Sequence, residues 1–252
     1  MTRLLLLGGT IEARELAQNL HKCQGLEIFY SLAGRTHKAV RVGGNVRRGG
    51  FGGVTGLERF LQENSIDLLL DATHPHATKI SRNAAAAAQN CNIPRAQLHR
   101  EPWVAQAGDE WQQFGSLEEI ATSLPPSARV FVSIGSRGLE AFITRQDVFF
   151  LVRSIEASSF SDGLTFKQHF PSGELLLERG PFELKNERAL LQKWNIELLV
   201  SKNSGGNAMR AKIDAARELG IPVRMLASPP PVPGTRVKNV NEAFDWVTGQ
   251  LR

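Results

Sequence analysis

The sequence predicts an α/β protein of two domains, each a parallel β-sheet covered by helices on both faces. Three observations predict it. Apolar strand-like runs alternate with amphipathic helical stretches along most of the 252 residues. The runs are continuous, as in LLLL (4–7) and IDLLLDA (66–72), which is how strands buried on both faces read. The alternation lapses between about 99 and 128 and then resumes, which divides the chain into domains 1–98 and 99–252.

In the first domain LLLL is a strand, and the turn GGT follows at once. IEARELAQNLHKC places Leu16 and Leu20 on one helical face. LEIFYSLAG (26–34) is a second strand running into glycine, and NVRRGGFGG (45–53) is a short strand followed by a glycine cluster. TGLERFLQEN is a helix with Thr55 as its expected N-cap. IDLLLDA is a strand, TKISRNAAAAAQNC is a helix favoured by its alanine run, and IPRAQL is a strand. The crossing stretch holds EPW, a short strand at EWQQF, and SLPPS. Beyond it, ARVFVSIG (128–135) is a strand and SRGLEAF starts a helix. DVFFLVRSI is a strand, ELKNERALLQKW a helix, and IELLVSKNSGG (196–206) a strand leading into a polar glycine loop. NAMRAKIDAARELG is a helix closed by Gly220. IPVRML is a strand, SPPPVPG a turn-rich linker, and VNEAFDWVTGQL the last helix, a candidate to pack back on the first domain.

Composition narrows the function. The chain is 42% hydrophobic and 22% charged, with a net charge of +5 and a pI near 9.5. A basic balance points to an acidic partner. The Arg and Lys residues are scattered through loops, and aromatic residues make up only 7% of the chain, so an anionic small molecule fits better than nucleic acid. Cys23 and Cys91 lack a CxxC context and read as free thiols in a reducing compartment. MTRLLLLGG is too short an apolar run for a signal peptide, and no stretch has the length of a membrane span. The expected location is the cytoplasm.

A doubly wound sheet binds ligands beyond the carboxyl ends of its strands. Gly8, Gly9 and Thr10 follow the first strand and open a helix, which is a phosphate-binding arrangement. At the end of the second strand a ribose-binding acid is expected for NADH. Ser31, Arg35 and Thr36 stand there instead, and a cation beside hydroxyls suits the 2′-phosphate of NADPH. GGFGG, with Gly50, Phe51 and Gly52 at its centre, offers a backbone that a cofactor ring or ribose can approach. DATHPH brings Asp71, His74 and His76 together, but no HExxH or CxxC completes a metal-ligand set, so no metal is expected. Asp71 is better placed to order the loop, leaving Thr73 and His74 at the border of a cleft. Lys202, Asn203, Ser204, Gly205 and Gly206 form an anion or carbonyl clamp before a helix, and Arg137 in GSR is a weaker companion.

These loops together resemble the precorrin-6A reductase family of cobalamin biosynthesis. The stretches that carry the resemblance are LLGGTIEARELA (6–17), SLAGRT (31–36), GGFGGVTGLERFL (49–61), DATHPHATKIS (71–81), REPW (100–103), RGPFELKNE (179–187) and SKNSGGNAMRAKIDAARELGIPV (201–223). They occur in the family's order along nearly the whole chain. The resemblance implies two Rossmann-like domains with an active-site cleft between them. It implies an NADPH-dependent oxidoreductase that delivers hydride to the C18=C19 double bond of a polycarboxylate tetrapyrrole, giving precorrin-6B. On that basis Gly8, Gly9 and Thr10 hold the pyrophosphate, and Ser31, Arg35 and Thr36 hold the 2′-phosphate. Gly50, Phe51, Gly52, Thr73 and His74 line the nicotinamide side. Lys202 and the 203–206 loop bind substrate, with Arg137 near them. His74 and Lys202 are the candidate catalytic groups, and either His74 or water is the proton donor. Nucleic acid and membrane partners are not expected; transient contact with neighbouring pathway enzymes is. Two rivals stand beside this reading. One is a cobalt-precorrin-6A reductase, which differs in substrate. The other is a non-catalytic NADP-binding regulatory module, against which KNSGG and RGPF argue.

Overall fold

The structure is a computed structural model that describes residues 1–33, 44–157 and 160–251. The chain divides into two compact units. Unit 1 comprises residues 1–101 together with 229–252, and unit 2 comprises residues 102–228. The expected second domain, 99–252, is therefore corrected at its far end, because the chain from Pro229 onward belongs to unit 1.

Unit 1 runs β1 (Thr2–Leu7), α1 (Ile11–Leu20), β2 (Leu26–Leu32), β3 (Asn45–Arg48), α2 (Val54–Glu63), β4 (Leu68–Asp71), α3 (Thr78–Asn90) and β5 (Arg95–Leu98). In unit 2 the order is β6 (Trp111–Phe114), α4 (Leu117–Ser123), β7 (Arg129–Ser133), a 3₁₀ turn at Leu139–Phe142, β8 (Phe149–Ser154), α5 (Phe166–His169), β9 (Glu174–Leu177), α6 (Leu184–Lys193), β10 (Leu198–Lys202), α7 (Ala211–Glu218) and β11 (Val223–Leu226). Then β12 (Thr235–Val237) and α8 (Val240–Thr248) return to unit 1.

Each unit holds a six-stranded parallel sheet, in the orders β3-β2-β1-β4-β5-β12 and β9-β8-β7-β10-β11-β6. Both are the doubly wound Rossmann order, in which the strand order reverses beside the first strand. In each sheet the sixth strand is displaced along the chain: unit 1 takes β12 from the far end, and unit 2 takes β6 from ahead of its other five.

The continuous apolar runs are explained by burial on both faces. Leu4 and Leu6 point into one core with Leu16, Leu20 and Ala243, while Leu5 and Leu7 point into the opposite core with Leu57, Leu61 and Ala84. In unit 2, Val130 and Val132 join one core, and Phe131 between them joins the other. Ala243 and Val247 of α8 are fully buried in the core that α8 shares with α1 and β5, which fixes the last helix on unit 1.

Several local expectations change. Gly53, not Thr55, is the N-cap of α2, because its φ of 93° turns the chain into the helix. SRGLEAF yields a single 3₁₀ turn. Among the described residues no helix is long and apolar enough to cross a membrane.

Candidate active site

In unit 1, the β1–α1 turn is built by close packing. A Cβ on Gly8 would lie 2.5 Å from the ring of Tyr30, so only glycine fits there. Tyr30 is almost completely buried on β2, and burial raises the pKa of its hydroxyl. Gly9 has a φ of +113°, a conformation L side chains avoid. Thr10 caps α1: its Oγ accepts from the Ala13 N–H at 3.1 Å and donates to the Ala72 carbonyl at 2.8 Å. The Thr10 hydroxyl thus ties the turn to the end of β4. The first-turn amides of α1 remain the anion-facing groups, because a helix N-terminus leaves its leading N–H groups without intrahelical partners. Glu12 stands in that turn and is paired with Arg100 at 2.8 Å, which directs its charge to REPW.

At the end of β2, Ser31 is buried within the strand, and its carbonyl accepts from the Gly8 N–H at 2.9 Å. Arg35 and Thr36 lie outside the described residues.

The glycine loop has an internal logic. Gly49, Gly52 and Gly53 all have positive φ, so the turn itself requires them. A Cβ on Gly49, Gly50, Gly52 or Gly53 would meet nothing within 4 Å, so the loop is open along these glycines, and Gly50 is the one of them without a positive φ. Phe51 packs edge-on against Phe60, with ring centroids 5.2 Å apart, and Arg47 stacks on it at 3.8 Å. Arg47 also donates to the Gly49 and Gly50 carbonyls at 2.6 and 2.7 Å. Phe51 therefore anchors the loop. Gly56 in α2 completes the seat, since a Cβ there would fall 1.7 Å from the Phe51 carbonyl oxygen.

Asp71 closes β4 and is 1% exposed. Its Oδ1 accepts from the Thr73 N–H at 3.1 Å and from the Thr73 hydroxyl at 2.7 Å. This is the reason for a carboxylate behind IDLLL: it holds the turn that presents His74. The His74 ring accepts the His76 N–H at Nδ1, 3.2 Å away. Accepting at Nδ1 places the proton of the neutral ring on Nε2. His74 is exposed. Among the described residues no three His, Cys, Asp or Glu side chains are grouped to hold a metal ion.

In unit 2, Lys202 ends β10 and donates to the Ile134 carbonyl at 2.9 Å. Burial lowers its pKa, and the nearby Arg137 guanidinium lowers it further. Arg137 itself is exposed in the turn after β7. Asn203 and Ser204 are buried. The Asn203 amide grips the backbone of Trp103 from both sides, accepting its N–H at 2.8 Å and donating to its carbonyl at 2.9 Å. Trp103 Nε1 donates to the Gly206 carbonyl at 2.6 Å. Gly205 and Gly206 turn the loop with φ of 62° and 69°. Much of KNSGG thus secures Trp103, while Lys202 stands at the strand end. Sequence reading missed Tyr30 and the hold on Trp103. The signal for the second was REPW, quoted for the resemblance but given no task.

The comparisons with known proteins agree with this architecture. The family model for precorrin-6x reductase CbiJ/CobK matches residues 3–248. A precorrin-6A reductase from Rhodococcus erythropolis is 43% identical over 249 residues, 98% of each chain. A cobalt-precorrin-6A reductase from Priestia megaterium is 26% identical over 265 residues, 99% of each chain. The solved structure of a CobK precorrin-6A reductase superposes with a TM-score of 0.89 at 35% identity, covering 99% of this chain and 97% of that one. Matched over residues 3–248 by the family model and at 43% identity by a relative covered to 98%, the chain belongs to the precorrin-6x reductase CbiJ/CobK family.

Proposed function

We propose that the protein is an NADPH-dependent precorrin-6A reductase that reduces the C18=C19 bond of the macrocycle to give precorrin-6B. The observation that carries this reading is the contrast between the strand-end loops of the two units. Unit 1 presents a glycine turn at the N-terminus of α1, with the open face of Gly50 nearby in the sheet order. Unit 2 presents Lys202 and Arg137; burial and then the Arg137 guanidinium lower the pKa of Lys202, and no carboxylate among the described residues shifts it. A dinucleotide phosphate suits the first, and the acidic side chains of a tetrapyrrole suit the second.

The residues of unit 1 fit a nicotinamide dinucleotide. Gly8, Gly9 and the Thr10 backbone would hold its pyrophosphate, Ser31, Arg35 and Thr36 its 2′-phosphate, and Gly50, Phe51, Gly52 and Thr73 its nicotinamide end. When bound, the cofactor supplies hydride. The chain supplies position and charge. Asp71 fixes Thr73, and Thr73 fixes the turn beside it. The proton for the carbon neighbouring the reduced one would come from water or from His74, which would have to release the His76 N–H from Nδ1 and become doubly protonated to donate. Lys202, Ser204, Gly205 and Gly206 would meet the substrate, with Arg137 at the rim and Asn203 holding Trp103 beneath. The free thiols Cys23 and Cys91 suit a cytoplasmic setting.

The test is anaerobic oxidation of NADPH by the purified protein with precorrin-6A, beside NADH and beside the cobalt-loaded substrate. Turnover with NADPH and the metal-free macrocycle is expected. Turnover only with the cobalt-loaded macrocycle overturns the substrate assignment, and equal use of NADH overturns the cofactor assignment. Arg35→Ala should weaken NADPH far more than NADH. His74→Gln should slow turnover while leaving NADPH affinity intact; near-normal turnover would make water the proton donor.

A further inference from the structure

Unit 2 buries four ionisable side chains that the mechanism does not use: His169, which is paired with Asp162, and Arg153, Glu187 and Lys212, which lie near one another. Arg153 and Glu187 satisfy each other. Arg153 Nη1 donates to both Glu187 oxygens, at 2.8 and 3.0 Å, and Arg153 Nε reaches Glu178 at 3.0 Å. The guanidinium also stacks on Phe131 and Phe182, at 4.9 and 4.0 Å. Lys212 is different. Its ammonium lies 5.8 Å from the Trp103 ring centroid, and among the described residues no hydrogen bond or ion pair ends on it. Two of the three charges that act on it, Arg153 and Lys202, repel it, and only Glu187 attracts it. It also sits in the first turn of α7, the positive end of a helix, where a cation is unfavourable.

A chain needing only a packed core would put leucine or methionine here, beside the fully buried Ile213, Ala215 and Ala216. Instead it buries an ammonium that Glu187 and the face of the Trp103 ring attract, while Arg153, Lys202 and the helix N-terminus favour an anion in the same place. The place is specific. Lys212 lies by Trp103, and Trp103 is bonded to Asn203 and Gly206 of the loop that begins at Lys202.

We propose that Lys212 is a second carboxylate-binding cation of unit 2, sharing with Lys202 one acidic side chain of the tetrapyrrole received at the 202–206 loop. The proposal rests on the reading of unit 2 as the substrate side. A consequence follows from the groups that face it. Burial lowers the Lys212 pKa to about 8, with Glu187 opposing and Arg153 and Lys202 reinforcing the shift. An arriving carboxylate adds a second attraction and restores the proton. Substrate binding above about pH 8 therefore takes up a proton, and affinity falls as pH rises further.

The test uses the full chain and a non-reducible porphyrin octacarboxylate as probe, with its methyl ester as control. Lys212→Met keeps the apolar stem without the charge, and Lys212→Arg keeps the charge. Lys212→Met should weaken the acid probe by about tenfold while the ester and NADPH change less than about twofold, and Lys212→Arg should recover most of the loss. An unchanged acid-probe affinity, or equal losses for acid and ester, overturns the proposal. Calorimetry near pH 8.5 in buffers of different ionisation enthalpy compares the wild-type chain with Lys212→Met, because the pKa of Lys202 is lowered too and it can take up a proton of its own. Proton uptake with the acid probe that shrinks in Lys212→Met supports the proposal, and uptake that is absent or the same in both overturns it. The reductase reading fails separately, through absent turnover with precorrin-6A while the acid–ester difference persists.

Discussion

Replacing Asp71 with alanine removes one acceptor atom that holds two donors. Oδ1 takes the Thr73 N–H at 3.1 Å and the Thr73 hydroxyl at 2.7 Å, and the residue is 1% exposed, so water cannot readily take its place. A hydrogen bond to a charged group contributes roughly 1.5–3 kcal/mol, and two bonds sharing one oxygen sum to less than twice that. A third contact, from Gln97 Nε2 at 3.5 Å, is too long to add much. The expected cost is about 3 kcal/mol. Asp71→Asn retains an acceptor oxygen and loses only the charge, so it should cost about 1 kcal/mol. Native-state hydrogen exchange reads both effects. Protection of the Thr73 amide should vanish in the alanine variant, and the Leu69 amide, bonded to the Pro94 carbonyl in the same sheet, should lose the full amount. Turnover should fall with Thr73 protection, because the same turn presents His74. If asparagine proves as costly as alanine, the bonds to Thr73 are not the source. Burial lowers the pKa of Arg95 and the charge of Asp71 opposes that shift, and this attraction would then be the reason for an aspartate here.

Other substitutions test other parts of the site. Gly56→Ala drives a methyl into the Phe51 carbonyl and should displace the glycine loop, weakening NADPH binding by more than about tenfold in a fluorescence titration; overpacking of this kind also costs about 1–3 kcal/mol. Glu12→Ala leaves Arg100 without its carboxylate in a pair whose side chains are 12% and 19% exposed, and should lower unit 1 stability by about 1–2 kcal/mol in urea unfolding. Lys212 titrates lower in the fold than its ordinary 10.5, so above about 8 the unfolded chain binds more protons. Its contribution to stability therefore rises with pH from about 8 to 10.5, by roughly 3 kcal/mol, and comparison of thermal melts with Lys212→Met should show that slope disappear.

The strands buried on both faces were legible because their sequence reports their environment directly. LLLL and IDLLL have no polar face to confuse the reading. Two of the four edge strands, β9 and β12, were not legible. ELLL at β9 is half-exposed, and TRV at β12 is three residues long behind a proline-rich turn, so neither carries a pattern of its own. Helix α4 was overlooked although its cap was written in the chain: Ser116 accepts the Glu119 N–H, and Glu119 accepts the Gly115 N–H. At the site, sequence could show that Gly8 and Gly9 formed a turn but not that Tyr30 forbids a side chain at Gly8, because that contact joins separate strands. The same holds for Glu12, whose partner Arg100 is distant in the chain. Asp71 was read correctly as ordering its loop because its partner, Thr73, is local.

The displaced sixth strands set an order of assembly during synthesis. The first five strands of unit 1 are translated by Leu98, yet its sheet lacks an edge until β12 emerges near the end of the chain. Unit 2 begins later but owns all its strands by Leu226. On the ribosome, the domain started first is finished last. Until residues 235–248 are released, β5 presents an open edge, and the face of α1 that α8 will cover stays bare. A nascent chain halted just after Ser228 would carry a complete unit 2 attached to a unit 1 still waiting for its closing strand and helix.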